Sequence, residues 1–93
     1  MKTIFITGAA HGIGLATAKR FASQGWFVGL YDINTQGLDS LLGSGEFPNA
    51  CGQYCDVTRR DSIEQAFAHF SRQTGGRLDL LVNNAGVLTS GNF

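Results

Sequence analysis

The stretch TGAAHGIG, residues 7–14, decides the fold. It places Gly8, Gly12 and Gly14 directly behind the apolar run TIFI. A glycine held in regular structure costs roughly 0.5–1 kcal/mol relative to alanine, so this turn needs a backbone without side chains. Between a strand and a following helix, such a turn lets backbone N–H groups approach a phosphate without Cβ clashes. The helix N-terminus adds orphan donors and partial positive charge at the same point. The spacing Gly-x-x-x-Gly-x-Gly is one residue longer than the Gly-x-Gly-x-x-Gly dinucleotide fingerprint. It serves the same three needs of turning, close approach and helix packing. Taken singly, the glycines also fit a merely flexible strand–helix turn.

Working outward, the pattern alternates between strand and helix. Residues 2–8 read as a buried strand and 12–25 as a helix with Gly25 just past its end. WFVGLYD, residues 26–32, reads as a second strand. Residues 34–43 read as a short helix in which Leu38, Leu41 and Leu42 share a face and Gly43 stops the run. ACGQYCDV, 50–57, is a third strand, weakened by Gly52 and Gln53. Residues 58–76 form the strongest helix, with Thr58 as N-cap and Asp61 completing a variant capping box. Its stripe is Ile63, Ala66, Phe67 and Phe70, and Gly75 and Gly76 end it. RLDLLVNNAG, 77–86, is a fourth strand, followed by loop. Three strand–helix–strand units imply parallel strands with helical crossovers. The class is α/β, a partial Rossmann-type doubly wound parallel sheet with strand order 3-2-1-4.

Composition bounds the partners. The chain has 93 residues, 43% hydrophobic, with seven basic and seven acidic side chains and no formal net charge at pH 7. That is one small domain with a real core, and nothing in it binds nucleic acid or an acidic membrane through bulk charge. No apolar run approaches membrane-spanning length, and the N-terminus lacks the apolar stretch of a signal peptide. The expected location is cytoplasmic. Cys51 and Cys55, on one extended strand, would have Cα atoms about 13 Å apart, against the roughly 7 Å limit for a disulfide. Without nearby histidines they also make a poor zinc site. Both read as small core residues, with no metal site. His69 reads as a surface or edge residue outside any cluster.

Asp32 ends the second strand, close to the distance at which the fingerprint expects an acid. A carboxylate there accepts from ribose hydroxyls and repels a 2′-phosphate. It also suits a turn or helix cap ahead of Asn34. At this point the sequence resembles the N-terminal half of the short-chain dehydrogenase/reductase family. The likeness is carried by Thr7-Gly8-Ala9-Ala10-His11-Gly12-Ile13-Gly14, Asp32, Asp56-Val57 and Asn83-Asn84-Ala85-Gly86, in order and at family-like spacing over essentially the whole chain.

The resemblance implies roles. Gly8, Gly12 and Gly14 shape a pyrophosphate turn, and the backbone around Ala10, His11 and Ile13 touches phosphate or ribose. Asp32 and Ile33 flank the adenosine ribose. Asp56 and the Val57 amide meet the adenine, Asp56 also being readable as a helix cap. Asn84, Ala85 and Gly86 line the nicotinamide-side ribose, and the same motif braces the sheet through Thr7. The implied cofactor is NAD. Relatives that prefer NADP place a basic residue just before the second glycine or just after the second strand, where this chain has His11 and Ile33-Asn34. The implied activity is that of an oxidoreductase interconverting an alcohol and a carbonyl.

The family's catalytic serine, its tyrosine with a lysine four residues on, and its supporting asparagine have no match in the chain. Tyr31 is followed at that distance by Thr35 and Tyr54 by Thr58, and Ser90 follows NNAG too closely. Residues 1–93 are therefore expected to be the truncated, cofactor-binding half of one Rossmann-type domain, with its C-terminal half missing. Alone, that half would be inactive and marginally stable, and would self-associate through the outer edge of the fourth strand. The small-molecule substrate would meet only the full-length parent. A non-catalytic NAD(H)-binding sensor or regulatory module is the alternative. A methyltransferase using adenosylmethionine fits NNAG and Asp56-Val57 poorly, and a ligand-free scaffold is a further reading for the chain alone.

Overall fold

The computed structural model describes residues 1–84 of the chain. Seven elements follow one another: β1 (Thr3–Thr7), α1 (Gly12–Ser23), β2 (Phe27–Asp32), α2 (Thr35–Leu42), β3 (Ala50–Tyr54), α3 (Arg60–Thr74) and β4 (Leu80–Asn83). The strands form one parallel sheet in the order β3-β2-β1-β4. After β3 the chain crosses back over the sheet through α3 and adds β4 beside β1. The order therefore reverses between β1 and β4, the kind of switch point at which open α/β sheets place ligands, outside the carboxyl ends of their strands.

Strand alternation divides two cores. Ile4, Ile6, Val28 and Leu30 face α1 and α2, where they meet Ala18 and Leu38, with Leu41, Leu42 and Val82 packed at the margin. Phe5, Tyr31 and Cys51 face α3, where they meet Ala66 and Phe70, with Ile63 and Phe67 beside them. Every residue of β1 is buried, as a parallel strand covered on both faces requires. Gly29 lies beneath the aromatic group on the α3 face. A Cβ there would come within 2.6 Å of the Phe70 ring. Its absence lets Phe70 stand edge-on to Phe5 at 5.3 Å, while Tyr31 stacks on Phe5 at 4.3 Å.

Several local expectations need correction. The third strand ends at Tyr54 rather than running on to Val57, because Asp56 and Thr58 form a turn instead. Thr58 does not cap α3. Its amide and hydroxyl both donate to Asp56 Oδ1, at 3.0 and 2.6 Å, and the residue at the N-cap is Arg59, which makes no side-chain capping bond. The fourth strand is shorter than expected, Leu80–Asn83. His69 belongs to a cluster: its Nδ1 lies 2.8 Å from the Tyr31 hydroxyl and its ring meets Tyr31 edge-on. Cys51 and Cys55 are free and buried. No helix among the described residues is long and apolar enough to cross a membrane.

Candidate dinucleotide site

The carboxyl ends of all four strands open into one cleft of about 400 Å³, lined by Gly8, His11, Asp32, Ile33, Cys55, Asp56, Val57, Thr58 and Asn84. Each strand contributes at its end. β1 runs into Gly8, β2 into Asp32 and Ile33, β3 into Cys55 to Thr58, and β4 into Asn84.

The glycines have three separate jobs. Gly8 and Gly12 adopt left-handed backbone, with φ of 65° and 59°, where a Cβ is disfavoured. Gly14 has ordinary helical geometry, but a Cβ on it would land on the Gly8 carbonyl oxygen, 2.8 Å from the Gly8 carbonyl carbon. The third glycine thus seats the first turn of α1 directly against the strand end. As first-turn amides, Gly12, Ile13 and Gly14 have no acceptor within α1, and His11 at the N-cap supplies no side-chain acceptor. The helix therefore presents donors and the positive end of its dipole beside the cleft. Ile13 is 75% exposed, so it rims the turn rather than joining the core.

Asp32 is 3% exposed. Its Oδ2 accepts from the Ala10 amide at 3.0 Å and its Oδ1 from the Asn34 amide at 3.0 Å. The His11 imidazole, largely in solvent, has Nδ1 3.6 Å from the same Oδ2. Each carboxylate oxygen has a second lone-pair direction, so the side that lines the cleft can still accept hydroxyl donors. The turn alternative for Asp32 also holds, through its bond to the Asn34 amide two residues on, but the cap alternative does not: Asn34 itself caps α2, its side chain accepting from the Gly37 amide at 3.0 Å.

At the next strand end, the Asp56 amide donates to Ser62 Oγ at 2.8 Å. The Thr58 hydroxyl and amide hold the Asp56 carboxyl below its usual range, since bonds donated to the charged form favour it. Burial pushes the neighbouring Cys55 thiol up, so it lines the cleft as an uncharged wall. At the fourth strand end, Thr7 Oγ1 donates to Asn83 Oδ1 and accepts from the Asn84 amide at 3.2 Å. The threonine of the glycine stretch thereby fixes how Asn84 enters the cleft.

Of the residues singled out in the sequence, Gly8, His11, Asp32, Ile33, Asp56, Val57 and Asn84 come together around this cleft. Ala10, Gly12, Ile13 and Gly14 stand behind it in the turn and first helical turn. Ala85 and Gly86 lie outside the described residues, as does Ser90. Cys55 and Thr58 line the cleft although the sequence reading gave them a core role and a capping role rather than a place in the site. Thr58 carried a signal, because Asp-x-Thr is a pattern for an Asx-type turn. Tyr31, by contrast, is buried under α3, and burial together with its bond to Cys51 drives its phenol far above the normal range, so it serves the core. No cluster of metal-ligating side chains exists among the described residues.

A family model described as short chain dehydrogenase matches residues 2–93. The chain belongs to the short-chain dehydrogenase family. Curated relatives of the chain include the uncharacterized oxidoreductase YuxG of Bacillus subtilis, 38% identical over 99% of the chain and 14% of that protein. Another is the 3-oxoacyl-(acyl-carrier-protein) reductase FabG of Thermotoga maritima, 44% identical over 92% of the chain and 35% of that protein. Among solved structures, a 3-ketoacyl-(acyl-carrier-protein) reductase of Brucella melitensis complexed with NADH superposes with a TM-score of 0.85 at 32% identity, covering 92% of the chain and 34% of that structure. Actinorhodin polyketide ketoreductase with NADPH gives 0.84 at 34% identity, covering 92% and 33%. The chain thus spans about a third of the length of these reductases.

Proposed function

We propose that the chain is the NAD-binding part of a short-chain dehydrogenase that interconverts an alcohol and a carbonyl. The observation that carries the reading is the meeting, at one cleft, of the glycine turn, through Gly8 and His11, and the Asp32 carboxylate, with the first turn of α1 directly behind them. The left-handed Gly8 and Gly12 and the close Gly8–Gly14 contact make a turn whose backbone carries no side chain at these three positions, which suits a pyrophosphate. Hydride transfer is the chemistry the bound dinucleotide supplies. This chain's residues hold and orient it: the turn amides meet the phosphates, Asp32 and Ile33 the adenosine ribose, Asp56 and Val57 the adenine, and Asn84, Ala85 and Gly86 the second ribose. None of these residues is matched to the family's general acid.

NAD is preferred over NADP. A 2′-phosphate beside Asp32 meets a like charge, which at 4 Å costs about 1 kcal/mol in water and about 4 kcal/mol at an effective dielectric constant of 20. Neither His11 nor Ile33-Asn34 offers a permanent positive charge to offset it. Calorimetric titration of the chain with each cofactor tests this. NAD should bind at least about fivefold more tightly, the lower bound of that repulsion. Tighter NADP binding overturns the preference, and binding of neither overturns the nucleotide reading.

A further inference from the structure

A carboxylate whose whole task is to receive ribose hydroxyls has no need to be buried or to be bonded within the protein. Asp32 is both. It is almost fully enclosed, and each of its oxygens takes a main-chain amide from a different segment: Ala10, in the glycine turn, and Asn34, at the start of α2. The Ala9 amide, one residue earlier, donates to the Tyr31 carbonyl at 3.2 Å. Two successive amides of the turn are thereby tied to the last two residues of β2. Tethered in this way, Ala9 and Ala10 leave the free amides that follow them, from Gly12 to Gly14, in a set place at the cleft.

We propose that Asp32 is a positioning residue for the phosphate turn, holding it through the Ala10 amide, in addition to any contact it makes with ribose. The chemistry explains why the residue is aspartate. An ionised carboxylate has two acceptor oxygens and no donor, whereas an asparagine has one acceptor oxygen and an NH₂. Asp32→Asn can serve Ala10 or Asn34 but not both, and it sets N–H against N–H at the other. The ligand consequence rests on the nucleotide reading above, whereas the tie between Asp32 and the turn does not.

Two measurements on the 93-residue chain separate these. The first is amide hydrogen exchange without ligand. In the native protein the Ala10 amide should exchange at least about tenfold more slowly than those of Gly12 and Ile13, and Asp32→Ala, which removes both acceptors, should speed Ala10 about tenfold, the loss expected for one bond to a charged acceptor. Equal exchange of Ala10 and Gly12 in the native chain, or no change in the variant, overturns the proposal. The native comparison decides alone if Asp32→Ala does not fold. The second is binding of 2′,3′-dideoxyadenosine 5′-diphosphate, which has a pyrophosphate and no ribose hydroxyl for Asp32. Asp32→Ala should weaken it about fivefold or more; unchanged affinity means that Asp32 acts on ribose alone and overturns the proposal. If the native chain binds neither this probe nor NAD, the nucleotide reading fails while the exchange result still judges the brace.

Discussion

Gly14 and His69 show how much a single position can carry. Gly14 is helical and needs no unusual backbone. It must be glycine because the Gly8 carbonyl occupies the place of its Cβ. Gly14→Ala pushes α1 away from the strand end and should cost about 1–3 kcal/mol, the range for overpacking a close contact, read as a lower urea midpoint. NAD affinity should fall with it, because the same shift moves the first-turn amides. His69 bonds to the buried Tyr31 hydroxyl, and burial, helped by the Arg72 charge, holds its imidazole below the ordinary 6.5. Between its folded value and 6.5, the unfolded chain binds more protons than the folded one. Stability therefore falls as pH drops through that interval and is fully retained above it. His69→Gln keeps an acceptor for Tyr31 and does not titrate, so its melting temperature should vary less between pH 7 and pH 5 than that of the native chain.

Among the elements, β4 has the thinnest support, and a polar clasp anchors its start. Asp79 Oδ2 accepts from the Thr3 amide and from Arg77 Nε, both at 2.8 Å, and Oδ1 accepts from Arg77 Nη2 at 3.1 Å. The Arg77 guanidinium, with the Thr3 amide second, lowers the Asp79 carboxyl to about 2 from the ordinary 3.8. The stability this gives is present above pH 4 and is lost as pH falls from about 4 to about 2. Acid titration followed by circular dichroism should show that loss in the native chain, and Asp79→Asn should remove it while lowering stability at neutral pH. The reading of the elements from sequence succeeded where the local signal was strong: the unbroken apolar run of β1, the helix formers closed by Gly25 in α1, and the apolar stripe of α3. It erred at the ends of β3 and α3. There Asp56 captured Thr58 in a local turn, and such short-range side-chain bonds compete with capping without changing the hydrophobic pattern.

At the scale of the molecule, one sheet separates an aliphatic core under α1 and α2 from an aromatic core under α3. The described structure pairs β4 on one side only. Leu80 and Leu81 are 38% and 39% exposed there, and the strand Leu80–Asn83 carries no charge or proline. Such an edge is a template for pairing with another chain. The chain on its own is expected to associate through it, with a melting temperature that rises with concentration. Leu81→Lys should remove that dependence; a concentration-independent melt of the native chain overturns it.

Sequence alone determined the alternation of strands and helices, the parallel sheet and the positions of the glycine turn and Asp32. Each rests on a local pattern: hydrophobic period, glycine spacing and distance along the chain. Only the tertiary structure decided that Asp32 is buried and bonded to Ala10 and Asn34, that Gly29 makes room for Phe70, and that His69 reaches Tyr31. Each of these joins residues far apart in sequence or assigns one residue to a particular neighbour. Packing sets such pairings once the sheet has formed, and no periodicity along the chain encodes them.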